Sequence, residues 1–145
     1  MAHKFFNACQ LGLLEEVIAM LEDKNFNSKS FLDCNLKNLK KKYHVDLMPV
    51  NIRDCYGRTG LHFASSLGHF EMVKFLVSKG ANVNAKTNEG FSALMMACID
   101  GHFTICKYLL WQNCDIYFQV RSLTALDYAK IKGHEEIVGL FATII

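Results

Sequence analysis

Gly57-Arg58-Thr59-Gly60-Leu61-His62-Phe63-Ala64 decides how this sequence folds, because the stretch returns twice. Gly90-Phe91-Ser92-Ala93-Leu94-Met95-Met96-Ala97 follows 33 residues later, and Ser122-Leu123-Thr124-Ala125-Leu126-Asp127-Tyr128-Ala129 follows 32 after that. Each copy is trailed by a Gly-His pair: Gly68-His69, Gly101-His102 and Gly133-His134. Self-similarity at a fixed period of this size is the signature of a stacked repeat, whose units bury against their neighbours a face that none can bury alone.

The residue types inside each copy have physical work to do. Thr59, Ser92 and Thr124 stand where a hydroxyl can accept from the backbone N–H groups that open a helix. His62 and Asp127 lie three residues on and can close a hydrogen-bonded loop with the cap. Leu61, Leu94 and Leu126 supply an inner core, and the alanines at 64, 97 and 129 let paired helices approach closely. Gly68, Gly101 and Gly133 are placed to end the first helix with a positive φ. The histidines beside them start the second helix. Val73, Phe75, Leu76 and Val77, then Ile105, Tyr108, Leu109 and Leu110, then Ile137, Val138, Leu140 and Phe141 fill the space between units. Gly80 ends the second helix, and Asn113 replaces it in the next unit as the best non-glycine choice for a left-handed position.

The pattern resembles the ankyrin repeat. The resemblance implies an all-α solenoid of stacked helix-turn-helix units joined by β-hairpin-like loops. It also implies that the Thr59–His62 pair is structural, so His62 is a network residue and not a catalytic base. The proline usual at the second position of the family's signature is Gly60, Ala93 and Ala125 here, which costs those helices a pre-set φ.

Four repeats are expected, at about 1–23, 54–86, 87–118 and 119–145. The first is atypical: with Ala8 set on Ala64, Gly12 falls on Gly68, Val17 on Val73 and Leu21 on Val77. Phe5, Ala8 and Cys9, then Leu14, Val17, Ile18 and Leu21, are spaced for two short amphipathic helices. Between the first two repeats lies an insertion, about 24–47, in which Leu32, Leu36, Leu39 and Tyr43 recur at helical spacing. Six lysines and two aspartates fall within 24–46, a local net charge of +4, while the rest of the chain carries −2. The hairpin before the last repeat, Cys114-Asp115-Ile116-Tyr117-Phe118, departs from Ala81-Asn82-Val83-Asn84-Ala85 and should differ in shape. The last helix runs apolar to Ile144-Ile145, which reads as the N-terminal part of a longer protein, since a terminal unit needs a polar outer face.

Composition excludes several classes. A net charge of +2 over 145 residues sets up no global field toward nucleic acid or membrane. No apolar run approaches the ~20 residues of a membrane span. The N-terminus lacks the apolar core of a signal peptide. Six cysteines with no CxxC pair read as reduced thiols, which implies a cytoplasmic chain, with the nucleus as the other compartment. Dinucleotide, Walker, HExxH and nucleophile-elbow motifs are absent from the sequence, so no catalytic residue, cofactor or metal is expected. Cys98, Cys106 and Cys114 read as small buried hydrophobes. Cys55, beside Arg53 and Arg58, is the position where a reactive thiol would be sought.

Binding is the remaining reading. In ankyrin proteins the concave groove of hairpin tips and first helices is the usual partner surface, and a protein partner there is what the resemblance implies. Carried over, its tip positions are Cys55, Tyr56, Arg58, Asn88, Glu89, Phe91, Val120, Arg121 and Leu123, and its first-helix positions are Ser66, Leu67, Ile99, Asp100, Ile131 and Lys132, with Lys79 and Gln112 flanking. Tyr56, Arg58, Phe91, Arg121 and Leu123 are expected to have no internal packing duty. Two alternatives stand beside a non-enzymatic interaction module. Lys37, Lys40, Lys41 and Lys42 could bind RNA or anionic lipid, or the chain could be the regulatory domain of a larger enzyme. Asn84 matches the hairpin asparagine that asparaginyl hydroxylases modify in such proteins. The domain is expected to be monomeric.

Overall fold

The computed structural model describes residues 2–22 and 49–143. Among them are eight helices in four antiparallel pairs: α1 (Ala2–Leu11) with α2 (Leu14–Glu22), α3 (Gly60–Ser66) with α4 (Phe70–Ser78), α5 (Ala93–Asp100) with α6 (Phe103–Trp111), and α7 (Ala125–Lys132) with α8 (Glu135–Ala142). Helices α1, α3, α5 and α7 pack side by side as an inner layer, and α4, α6 and α8 back them as an outer layer. The loops contribute isolated antiparallel bridges, Lys86 with Ser92 and Val120 with Leu123, and no strand among the described residues. This is an all-α solenoid. Among the described residues no helix is long and apolar enough to cross a membrane. The insertion at 24–47, with Lys37, Lys40, Lys41 and Lys42, and the end at Ile144-Ile145 lie outside the described residues.

One contact repeats along the stack. Nε2 of His69, His102 and His134 donates to the carbonyl oxygens of Gln10, Ser66 and Ile99 at 3.0, 2.8 and 3.1 Å. Each carbonyl belongs to the last turn of the preceding inner helix, where the helix itself leaves acceptors open. The ring can reach it because a glycine follows. Gly68 sits at φ +80°, and a Cβ added to it would lie 2.7 Å from His102 Cε1. The same approach holds for His69 over Gly12 and His134 over Gly101. The glycine therefore both ends the helix and vacates the seat of the next unit's imidazole.

The core follows the repeat. Leu61, Leu94, Ala64, Ala97, Ala129, Val73, Leu76, Ile105, Leu109, Ile137 and Phe141 are all buried. Leu126 is half-buried, since no further described helix pair packs on α7. In the first pair, Phe5, Phe6, Ala8, Cys9 and Val17 are buried. Gly60 has a packing reason that its motif position does not reveal. A Cβ there would meet Cys9 Sγ at 2.9 Å and the Phe5 ring at 3.1 Å. A proline would strike the same atoms, so its absence reflects the bulk carried by α1.

The loops explain the uneven spacing. Asp54 Oδ1 accepts from the backbone N–H of Tyr56 and Arg58 (2.9 and 2.8 Å), and Thr87 Oγ1 accepts from Phe91 N–H (3.1 Å). Val120 replaces these acceptors and cannot organise a tip. There the backbone alone closes the turn, Val120 and Leu123 exchanging both bonds at 3.0 Å. The tip shrinks to Arg121 and Ser122, at φ +53° and +64°. The 32-residue interval is this shortened turn. At the other end of the loops Asn51 Oδ1 accepts from Asn82 N–H and Asn84 Oδ1 from Asp115 N–H, both at 2.8 Å. Asn84 thus ties its own hairpin to the next one. The third hairpin carries Tyr117 at that position, exposed, and lacks this tie.

Two thermodynamic outcomes follow. Gly68→Ala should lose about 2 kcal/mol or more in urea unfolding, from a strained φ and a clash with His102, whereas Gly80→Ala, at the same kind of φ but in open space, should lose about 1 kcal/mol. Ser65 is fully buried on α3 and its hydroxyl has no hydrogen-bond partner among the described residues. Ser65→Ala should therefore stabilise the fold by about 1 kcal/mol, read as a higher urea midpoint at constant m-value.

Candidate functional site

The groove is held by the helix caps beneath it. Nδ1 of His62 accepts from Thr59 N–H at 3.0 Å and lies 2.9 Å from Thr59 Oγ1. A backbone N–H can only donate, so the ring proton is on Nε2. That nitrogen donates to the carbonyl of Phe91 at 3.1 Å. One imidazole thus caps α3 and pins the tip of the following unit. Burial pushes its pKa below the ordinary value, which matches a neutral ring whose nitrogens are both committed. Asp127 replaces the imidazole at the last cap. Its Oδ2 accepts from Thr124 N–H at 2.9 Å and Thr124 Oγ1 at 2.7 Å, and these two bonds hold its carboxyl below the usual range.

Adjacent tips are tied to each other. Asn88 donates its backbone N–H to Tyr56 O and its Nδ2 to Cys55 O, both at 2.9 Å. The tips and the inner helices then enclose a shallow cavity of about 370 Å³. Tyr56, Arg58, Asn88, Glu89, Phe91, Ile99 and Asp100, all expected on the groove, line it together. Ser66 adjoins it through a 2.7 Å hydrogen bond from its Oγ to Asp100 Oδ2. Arg121 and Leu123 sit on the next tip, outside the cavity.

Several assignments need correction. Arg58 and Phe91 do have internal duties. The Arg58 guanidinium pairs with Asp54 Oδ2 at 2.7 Å and lies over the Tyr56 and Phe63 rings, 4.9 and 4.5 Å from their centroids. Phe91 is half-buried against the core, 5.8 Å from the Tyr128 ring. Val120 is buried, because the tight tip turns it inward, and its carbonyl accepts from Tyr128 Oη. Lys79 pairs with Glu22 at 3.0 Å instead of flanking the groove. The sequence reading also missed Thr87 and Met96, which line the cavity. Met96 could have been found, since the 33-residue offset places it level with Phe63.

The thiols are arranged as hydrophobes. Sγ of Cys98 on α5 and Sγ of Cys106 on α6 are 3.6 Å apart and fully buried. The hydrogen bond between Cys98 and Cys106, together with burial, pushes the Cys98 thiol far up. Burial raises Cys9 and Cys114 to about 12. All three stay protonated near neutral pH, which suits packing and not nucleophilic attack. Cys55 is exposed. Among the described residues no group of three or more His, Cys, Asp or Glu is placed to hold a metal ion.

A family profile for ankyrin repeats, in three copies, matches residues 5–120 and 85–143. The chain belongs to the ankyrin repeat family. Relatives reach well beyond it in length. The E3 ubiquitin-protein ligase XBAT33 of Arabidopsis thaliana is 33% identical over 131 residues, 87% of this chain and 23% of that protein. The DNA replication inhibitor plutonium of Drosophila melanogaster is 36% identical over 92 residues, 63% of this chain and 53% of its own length. The mouse ankyrin repeat and SAM domain-containing protein 6 is 36% identical over 114 residues, 76% of this chain and 13% of its length. The chain thus spans a minor part or about half of these relatives.

The caps give a signed dependence on pH. His62 is lowered in the folded state, so on acidification the unfolded chain takes up the proton first. This stability is fully present above the ordinary histidine value of 6.5 and is lost as pH falls from there through the folded value. Asp127 extends the loss: its contribution is present above the ordinary carboxylate value of 3.8 and disappears as pH falls through its lowered one. His62→Asn, which keeps an acceptor and removes the titration, should flatten the loss of stability that begins below pH 6.5 in urea titrations, while Asp127→Asn should leave the onset of that loss unchanged.

Proposed function

We propose that this chain is a non-enzymatic protein-interaction module that holds a partner protein in its concave groove. The observation that carries the reading is convergence: side chains from three separate stretches of sequence line one cavity, with an aromatic ring standing in solvent at its mouth. Tyr56 is 62% exposed although Arg58 stacks on it. Aromatic and arginine side chains of this kind dominate interface energies. Ties between neighbouring tips hold the cavity in shape before any partner arrives, which lowers the ordering cost of association. In the cytosol or nucleus such a domain would act by recruitment. As part of a longer chain it would present a bound protein to whatever follows. A role as the recruiting segment of a larger enzyme is the second reading, favoured by similarity to XBAT33 over 87% of this chain.

The test is affinity capture with three forms of the domain: wild type, Tyr56→Ala/Ile99→Ala, and Lys37→Ala/Lys40→Ala/Lys41→Ala/Lys42→Ala. The first variant avoids Arg58 and Phe91, whose truncation would disturb internal packing. A partner protein should be retained by the lysine variant and lost from the groove variant, at unchanged helical circular dichroism. Nucleic acid or anionic lipid lost from the lysine variant alone would overturn the groove reading in favour of the insertion.

A further inference from the structure

The groove carries an ordered charge pattern, and it appears when equivalent positions are read across the stack. At the hairpin tips the row is Tyr56, Glu89 and Arg121. At the ends of the inner helices, immediately before the helix-ending glycines, the row is Leu67, Asp100 and Lys132. Both rows read apolar, acidic, basic from the second helix pair to the fourth. All six side chains are exposed. The two rows are independent in local structure, one on loops and one on helices, yet they change character at the same units.

The charges in these bands are not used internally. The ion pairs among the described residues join Arg58 to Asp54, Lys74 to Glu71 and Lys79 to Glu22, so none involves Glu89, Asp100, Arg121 or Lys132. Asp100 accepts a hydrogen bond from the neutral Ser66 hydroxyl. The Arg58 charge, which would otherwise blur the apolar band, is neutralised by Asp54 at 2.7 Å and folded over the Tyr56 and Phe63 rings. What faces a ligand is an apolar patch at Tyr56 and Leu67, then two carboxylates, then two cations.

We propose that the groove takes one extended polypeptide segment of its partner, whose side chains run apolar, basic, acidic across the second, third and fourth helix pairs. The inference rests on the groove reading above and names the chemistry that the groove selects. The cavity of about 370 Å³, lined by the second and third helix pairs, takes individual side chains of such a segment. Neighbouring inner helices lie ~10 Å apart and an extended chain rises ~3.3 Å per residue, so the three recognition side chains should fall about three residues apart. Opposite charges placed in register would set orientation and reject the wrong order, since a like-charge meeting is unfavourable.

The experiment is selection of a random peptide library displayed on phage against three forms of the whole chain. These are wild type, the charge-exchanged Glu89→Arg/Asp100→Lys/Arg121→Glu/Lys132→Asp, and the milder Glu89→Gln/Asp100→Asn. All substituted side chains are exposed, and circular dichroism verifies the fold. Wild type should select an apolar residue followed at about three-residue intervals by a base and then an acid. The exchanged form should select the order apolar, acid, base, and a synthetic wild-type-selected peptide should bind it at least about tenfold more weakly. The milder variant should lose the preference for a base while keeping the apolar one, which keeps the test decisive if the exchanged form unfolds. Peptides released by Tyr56→Ala/Ile99→Ala but showing no charge order would overturn this inference and leave the groove reading standing. Peptides indifferent to Tyr56→Ala/Ile99→Ala would overturn the groove reading itself. A selection that enriches nothing overturns the charge pattern as a recognition code.

Discussion

An imidazole lying over a glycine holds this stack together. Each inner helix ends with carbonyls that its own backbone cannot satisfy, and burying them unpaired would be costly. The histidine of the following unit answers one of them, at Gln10, Ser66 and Ile99 in turn. The bond forms because glycine offers no Cβ to block the ring. Helix termination, inter-unit spacing and polar satisfaction are therefore one device. The apolar burial of Leu61, Leu94, Ile105 and Leu109 supplies most of the driving force, but it is non-directional. The imidazole fixes where one unit sits on the next.

A second polar chain runs nearer the groove. Thr59, His62 and the Phe91 carbonyl link a helix cap to the tip of the following unit, and Asn88 links that tip back to Cys55 and Tyr56. Tips that would otherwise be loose loops are cross-braced at both ends. The groove inherits its shape from these braces, while Tyr56 at the mouth keeps its side chain in solvent. Where the organising acceptor is missing, at Val120, the tip becomes a two-residue turn with left-handed Arg121 and Ser122, and the cavity stops short of it. The change in groove chemistry at the fourth unit coincides with this change in backbone.

The interior shows how little polarity the packing tolerates. Cys98 and Cys106 face each other across α5 and α6 as protonated thiols. Ser65, 33 residues before Cys98, is level with it in the preceding unit and keeps a hydroxyl with no partner among the described residues. Bulk is traded between units in the same way. Phe5 and Cys9 on α1 crowd against Gly60, so the side chain missing from one helix is supplied by its neighbour.

Much of this was legible in the sequence, because a repeat prints its own geometry. The recurrence of Thr/Ser, Leu, Ala and Gly-His at 33 and 32 residues determined the helix pairs, the caps, the left-handed helix ends at Gly68, Gly101 and Asn113, and the core positions. These are local or periodic properties, and each residue type carries its reason with it. Tyr56, Arg58, Asn88, Glu89, Phe91, Ile99 and Asp100, all named from the motif, meet in one cavity for the same reason. The tertiary structure decided what depends on a neighbour. It assigned the three histidines to carbonyls 35 to 59 residues away, gave Gly60 its partner in Phe5, spent Arg58 on Asp54 and Phe63, turned Val120 inward and left Tyr56 in solvent. Periodicity says which positions are equivalent. Only the distance between side chains of adjacent units says which of those equivalent positions are already occupied with the fold and which stay exposed.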